Sequence, residues 1–103
     1  MLWDKRRRDR KAVEMLEVSC VISNKEFKSY AKDISEKGIC MRAPEDLKKG
    51  DKLNLHIRLF PNLPAVKDIQ GNVVWKADNG TVGLKFKRVT AEQLELVQGF
   101  VNN

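Results

Sequence analysis

The residues best suited to chemistry fall in two short stretches. The first is a run of cations at the start of the chain, Lys5, Arg6, Arg7, Arg8, Arg10 and Lys11, against only Asp4 and Asp9. Four of these six are Arg, whose planar fork grips phosphate bidentately and also meets the O6 and N7 acceptors of guanine. Three readings of this arm stand side by side on composition: a solvated tail, a contact to nucleic acid or anionic membrane driven by counterion release, and an arginine-specific anion site. The second stretch is Asp33-Ile34-Ser35-Glu36-Lys37-Gly38, which sets a carboxylate, a hydroxyl and a glycine between two candidate strands. Asp, Ser and Gly are common turn residues, so by itself this stretch reads as an ordinary turn.

Other chemistry finds little support. His56, the one histidine, lies on the polar side of its strand with no second histidine or cysteine nearby in sequence, so neither a metal nor a catalytic role is expected. Cys20 falls on an apolar face and reads as a small core residue, whereas Cys40 alternates with Ile39 and Met41 and is expected at the surface. The two cysteines lack zinc-type spacing, and a reduced, cytoplasmic setting follows as the default. No Gly-rich phosphate loop or nucleophile elbow is present. The reading is of a binding protein, not an enzyme, with no metal and no resident cofactor.

The elements that must position these residues are mostly strands. The chain has 103 residues, enough for one small domain, with 42% apolar and 33% charged residues. Its net charge is +6, and most of that excess sits in the first eleven residues, leaving a nearly balanced body. No apolar run is long enough to span a membrane, and no signal peptide is expected. Leu53 to Leu59 alternates strictly between apolar and polar residues, as a half-buried strand does. Leu16, Val18, Cys20 and Ile22 share one face of a second run, and Val82, Leu84 and Phe86 one face of a third. Ile69 to Trp75 precedes that third run through an Asp78-Asn79-Gly80 turn, and Phe27–Lys32 and Gly38–Arg42 are weaker strands. Thr90 followed by Gln93 fits a helix capping box, with Leu94, Val97 and Val101 on one helical face. The expected fold is therefore mainly all-β: about six short antiparallel strands, in a barrel or sandwich, with a helix at 90–101.

Arg6-xxx-Arg10 followed by Asp33-x-Ser35-xx-Gly38 on an all-β pattern resembles the signature of the PilZ domain family, receptors for the bacterial second messenger cyclic di-GMP. Gly71-Asn72-Val73-Val74-Trp75 and Val82-Gly83-Leu84-Lys85-Phe86 look like that family's late strand pair. The resemblance implies a six-stranded antiparallel β-barrel over residues 12–103 with a C-terminal helix, preceded by a flexible arm at 1–11. It also implies a cyclic di-GMP site made of Arg6, Arg10, Asp33, Ser35 and Gly38, with Arg7 or Arg8 as additional contacts. The dianionic ligand would order the arm against the barrel, and the signal would pass to a protein partner. Two alternatives remain beside it: a small barrel binding RNA or another polyanion, with Trp75 and Phe27 available for stacking if they are not core, and a protein-interaction module that binds no nucleotide.

Overall fold

The computed structural model describes residues 11–44 and 46–102, with side chains in the first strand from Leu16 onward. Six strands form a closed antiparallel barrel: β1 (Lys11–Ile22), β2 (Lys25–Ile34), β3 (Gly38–Arg42), β4 (Lys52–Ile57), β5 (Val66–Lys76) and β6 (Thr81–Arg88). Around the barrel the order is β1-β2-β3-β6-β5-β4, and β4 pairs back with β1. Among the described residues, closure leaves no edge strand open to pairing with another chain. The helix α1 (Ala91–Val101) completes the expected architecture. Arg6, Arg7, Arg8 and Arg10 lie outside the described residues, but Lys11 already pairs with Ile34 as the first residue of β1.

Alternation determines the core. Val18 and Cys20 on β1, Leu53, Leu55 and Ile57 on β4, and Val82 and Leu84 on β6 all point inward and are buried. The β1–β2 hairpin turns at Ser23 (φ 51°) and Asn24 (φ 68°), the two consecutive positive values that a two-residue turn needs to match strand twist. At one end of the barrel the β3–β4 connection contributes the buried Leu47 to the core.

At the other end lies α1. Thr90 Oγ1 accepts from the Gln93 amide at 3.1 Å, and Gln93 Oε1 accepts from the Thr90 amide at 2.9 Å, which completes the capping box. Val97 is buried, and Leu96, Phe100 and Val101 pack against the core around it. Of the expected stripe, Val97 and Val101 face the core, whereas the half-buried Leu94 gives way to Leu96 and Phe100. Phe100 meets Phe60 edge-on at 5.5 Å between ring centroids.

Candidate functional site

Two irregularities of register shape one outer face of the barrel. Along β2, Ala31 points inward opposite Met41, so strict alternation would send Asp33 inward as well. The register instead slips by one residue between Ala31 and Asp33, leaving Lys32 unpaired and setting Asp33 opposite Cys40. A one-residue slip reverses the face of everything beyond it, so the carboxylate turns outward and Ile34 returns to the core. The same device operates in β5. Val73 points inward opposite Leu84, yet Trp75 pairs with Gly83, with Val74 as the extra residue. Trp75 is thereby turned outward.

The two bulges deliver their side chains to a single cross-strand row: Ala12 on β1, Asp33 on β2, Cys40 on β3, Gly83 on β6 and Trp75 on β5. Gly83 is required by close approach, since any Cβ there would run into the indole of Trp75. The half-buried indole thus lies flat along the barrel wall in line with the Asp33 carboxylate. Cys40 is buried, at 6% exposure, contrary to the surface position expected of it. It does face outward, but it is set between Asp33 and the indole-covered Gly83. One register step along the barrel, the exposed Lys85 stands opposite Gly38 and adds a cation beside the row.

The turn after Asp33 is held by Ser35. Its Oγ accepts the amides of Lys37 and Gly38, both at 3.2 Å, while its own amide donates to the Gly38 carbonyl at 2.8 Å. Ser35 is only 5% exposed, and Gly38 is buried as the first residue of β3. Glu36, exposed at the tip, accepts a hydrogen bond from Gln98 Nε2 of α1 at 2.9 Å. The sequence-predicted Asp33, Ser35 and Gly38 are thus brought together. The described chain also begins at this place, with Ala12 opposite Asp33 and Lys11 opposite Ile34, so the arginine-rich segment joins the barrel at the end of the row.

The remaining candidates lie elsewhere. His56 is on β4, opposite Ser19 of β1, and its Nδ1 accepts the Asp68 amide at 3.1 Å. Cys20 is fully buried with its thiol 4.0 Å from the Met41 sulfur, and burial pushes its pKa up to about 12, so the group is an inert part of the core. Among the described residues, no group of three or more His, Cys, Asp or Glu is placed to hold a metal ion. Sequence reasoning left Trp75, Gly83 and Lys85 out of the site. Alternation from Val73 points Trp75 into the core, and only the bulge at Val74 reveals otherwise.

The sequence matches the PilZ domain over residues 4–103. The chain belongs to the PilZ domain family. Solved structures with the same fold include the Bacillus subtilis inhibitor of motility MotI/DgrA, at TM-score 0.73 and 17% identity, which the PilZ chain matches over 90% of its own length and 47% of the other's. Another is Borreliella burgdorferi PlzA, solved in complex with c-di-GMP, at TM-score 0.67 and 14% identity, over 90% of this chain and 39% of PlzA. A third is an uncharacterised Legionella protein, at TM-score 0.56 and 17% identity, covering 90% of this chain and 89% of that one. The PilZ chain spans less than half the length of MotI/DgrA and PlzA. Among curated proteins, none matches the sequence.

Proposed function

We propose that this PilZ domain is a receptor for cyclic di-GMP that binds the ligand between the Asp33–Trp75 row and the arginines preceding β1, and that passes its occupancy to a protein partner. The observation that carries this reading is the pair of bulges that turn a carboxylate and an indole outward onto one row. A guanine presents two N–H donors on its Watson–Crick edge, which a carboxylate such as Asp33 accepts, and an indole offers its flat face to a purine. Arg6 and Arg10 suit the two phosphates and the guanine acceptors. Lys85 supplies further positive charge from the barrel side. Ser35 acts as a positioning residue, since its hydroxyl is engaged in building the turn. The PlzA complex with c-di-GMP supports the choice of ligand on a barrel of the same fold.

Calorimetric titration with cyclic di-GMP, GTP, GMP and a single-stranded RNA tests the proposal. Saturable binding of cyclic di-GMP alone is expected. Arg6→Ala or Arg10→Ala should each weaken it by about 1.5–3 kcal/mol, the range for hydrogen bonds to charged groups, with little change in melting temperature. Equal binding by both variants and the parent would remove the arginines from the site. Steeply salt-dependent binding to the RNA would instead favour a polyanion-binding barrel.

A further inference from the structure

The β4–β5 connection and the first half of α1 enclose an apolar groove of roughly 440 Å³, away from the Asp33–Trp75 row. Its lining includes Leu59, Phe60, Val66 and Leu96, and the ring of Phe60 is braced edge-on by Phe100. Leu63 stands at the lip with 48% of its surface exposed, one of the two large apolar side chains left in solvent among the described residues. The loop that carries it is shaped by internal bonds: the Leu63 amide donates to the Phe60 carbonyl at 3.2 Å, and Arg58 Nη1 donates to the Leu63 carbonyl at 3.3 Å. The groove wall is fixed in turn by Gln93, whose Nε2 donates to the Lys67 carbonyl at 2.6 Å.

At Ala65 and Lys67 this groove runs into a polar hollow of roughly 360 Å³ on the outer face of β1, β2 and β4. Lys28, Arg58 and Lys67 line it together with His56. Because His56 Nδ1 accepts the Asp68 amide, its Nε2 is left to carry the proton and serve as a donor. Asp68 presents this amide at φ 59°, in the left-handed region that Asp enters more readily than most non-glycine residues. Glu17 and Glu26 also line the hollow, and Glu92 lines the groove on the helix side. At the junction itself the charges are Arg58 and Lys67.

We propose that this continuous surface docks a short segment of a partner protein in which a bulky apolar side chain is followed by carboxylates. The apolar residue fills the groove beside Leu63, and the carboxylates meet Arg58, Lys67 and the His56 donor. An apolar slot alone would accept any greasy segment; the cationic end selects an acidic one and sets its direction. The row that carries the proposed ligand site contributes nothing to this surface, so the two assignments stand or fall separately.

Selection of a displayed library of random twelve-residue peptides on the full chain tests the proposal, with Leu63→Asp/Lys67→Glu as the counter-selecting variant. Both substitutions are at exposed positions, and an unchanged melting curve verifies that the variant is folded. Enriched peptides should pair an aliphatic or aromatic residue with Asp or Glu, should shift the amide resonances of Leu63, Val66, Lys67 and Leu96, and should bind the variant at least tenfold more weakly. Enrichment of basic peptides, peptides that bind parent and variant alike, or no enrichment over the variant would each overturn it. So would concentration-dependent self-association abolished by the variant, because the occupant would then be a second copy of the chain.

Discussion

The two sides of this barrel obey alternation to different degrees. On β4, Leu53, Leu55 and Ile57 point inward while Asn54 and His56 face out, as a period of two requires. On the side made by the end of β2, β3, β6 and the end of β5, two inserted residues break the period, and the side chains suited to ligand chemistry lie immediately after each break. β4 supplies stability by burying a continuous apolar face, and the slip in its pairing with β5, between Leu55 and Ile57, is taken up on the β5 side at Lys67 and Asp68. The irregular wall exposes a carboxylate and an indole that the regular pattern would have buried. The proposed ligand site lies where the register slips.

The largest expected effect comes from removing a slip. Deleting Lys32 removes the extra residue yet keeps Asp33 outward opposite Cys40 and Ile34 inward opposite Ile39, because Ala31 points inward. The cost is the lost bend of β2 and its disturbed pairing with β1 beside Ala12, up to about 3 kcal/mol. The control Lys32→Ala, at an exposed position, should stay within about 0.5 kcal/mol. Urea midpoints measure both, and a deletion as mild as the substitution would show that the bulge contributes nothing to the stability of this wall. Gly83→Ala tests the second slip. Its methyl group collides with the indole, so Trp75 must leave the wall, with a cost of about 1–3 kcal/mol typical of overpacking. Altered tryptophan emission and at least tenfold weaker cyclic di-GMP binding should accompany the loss. Unchanged affinity would remove Trp75 from the proposed site.

The same contrast explains what was legible in the sequence. The strand Gly38–Arg42, the strict alternation of β4 and the Thr90–Gln93 capping box all follow from local patterns, and the structure contains them. Asp33, Ser35 and Gly38 were also recognisable, because a motif is a matter of residue type and spacing. Trp75 was not, since a bulge is settled by pairing with β6 and leaves no mark on the Val73-Val74-Trp75 run. Cys40 failed for a related reason: it faces outward as alternation requires, but its neighbours on β2 and β6 bury it. On the helix, Val97 and Val101 follow from the period, but Phe100 joins them in place of Leu94 because Phe60, which it meets edge-on, comes from a distant loop.

Ser35→Ala comes next in size and probes how the irregular side is stabilised. The substitution removes the acceptor of two buried or part-buried amide bonds, each worth about 0.5–1.5 kcal/mol. Thermal unfolding should register that loss, and faster hydrogen exchange is expected at Lys37 and Gly38. Because Ser35 positions the turn, cyclic di-GMP affinity should fall with the turn's protection. A variant that lost affinity while the turn stayed protected would make Ser35 a direct ligand contact instead.

The smallest effect at neutral pH belongs to the regular side and appears only in alkali. Burial raises the Cys20 thiol from its ordinary value to about 12, so the folded chain retains this proton after the unfolded chain has begun to release it. The unfolded state then binds fewer protons, and stability falls as pH rises. The contribution is therefore complete below the ordinary thiol value of 9.0 and is lost progressively toward pH 12. Cys20→Ala should flatten this alkaline decline in the melting temperature without altering its course at acid pH. It removes only one buried sulfur, so the loss at pH 7 should be modest beside that of the Lys32 deletion. A decline of equal slope in parent and variant would assign the alkaline sensitivity to other groups and leave Cys20 as packing alone.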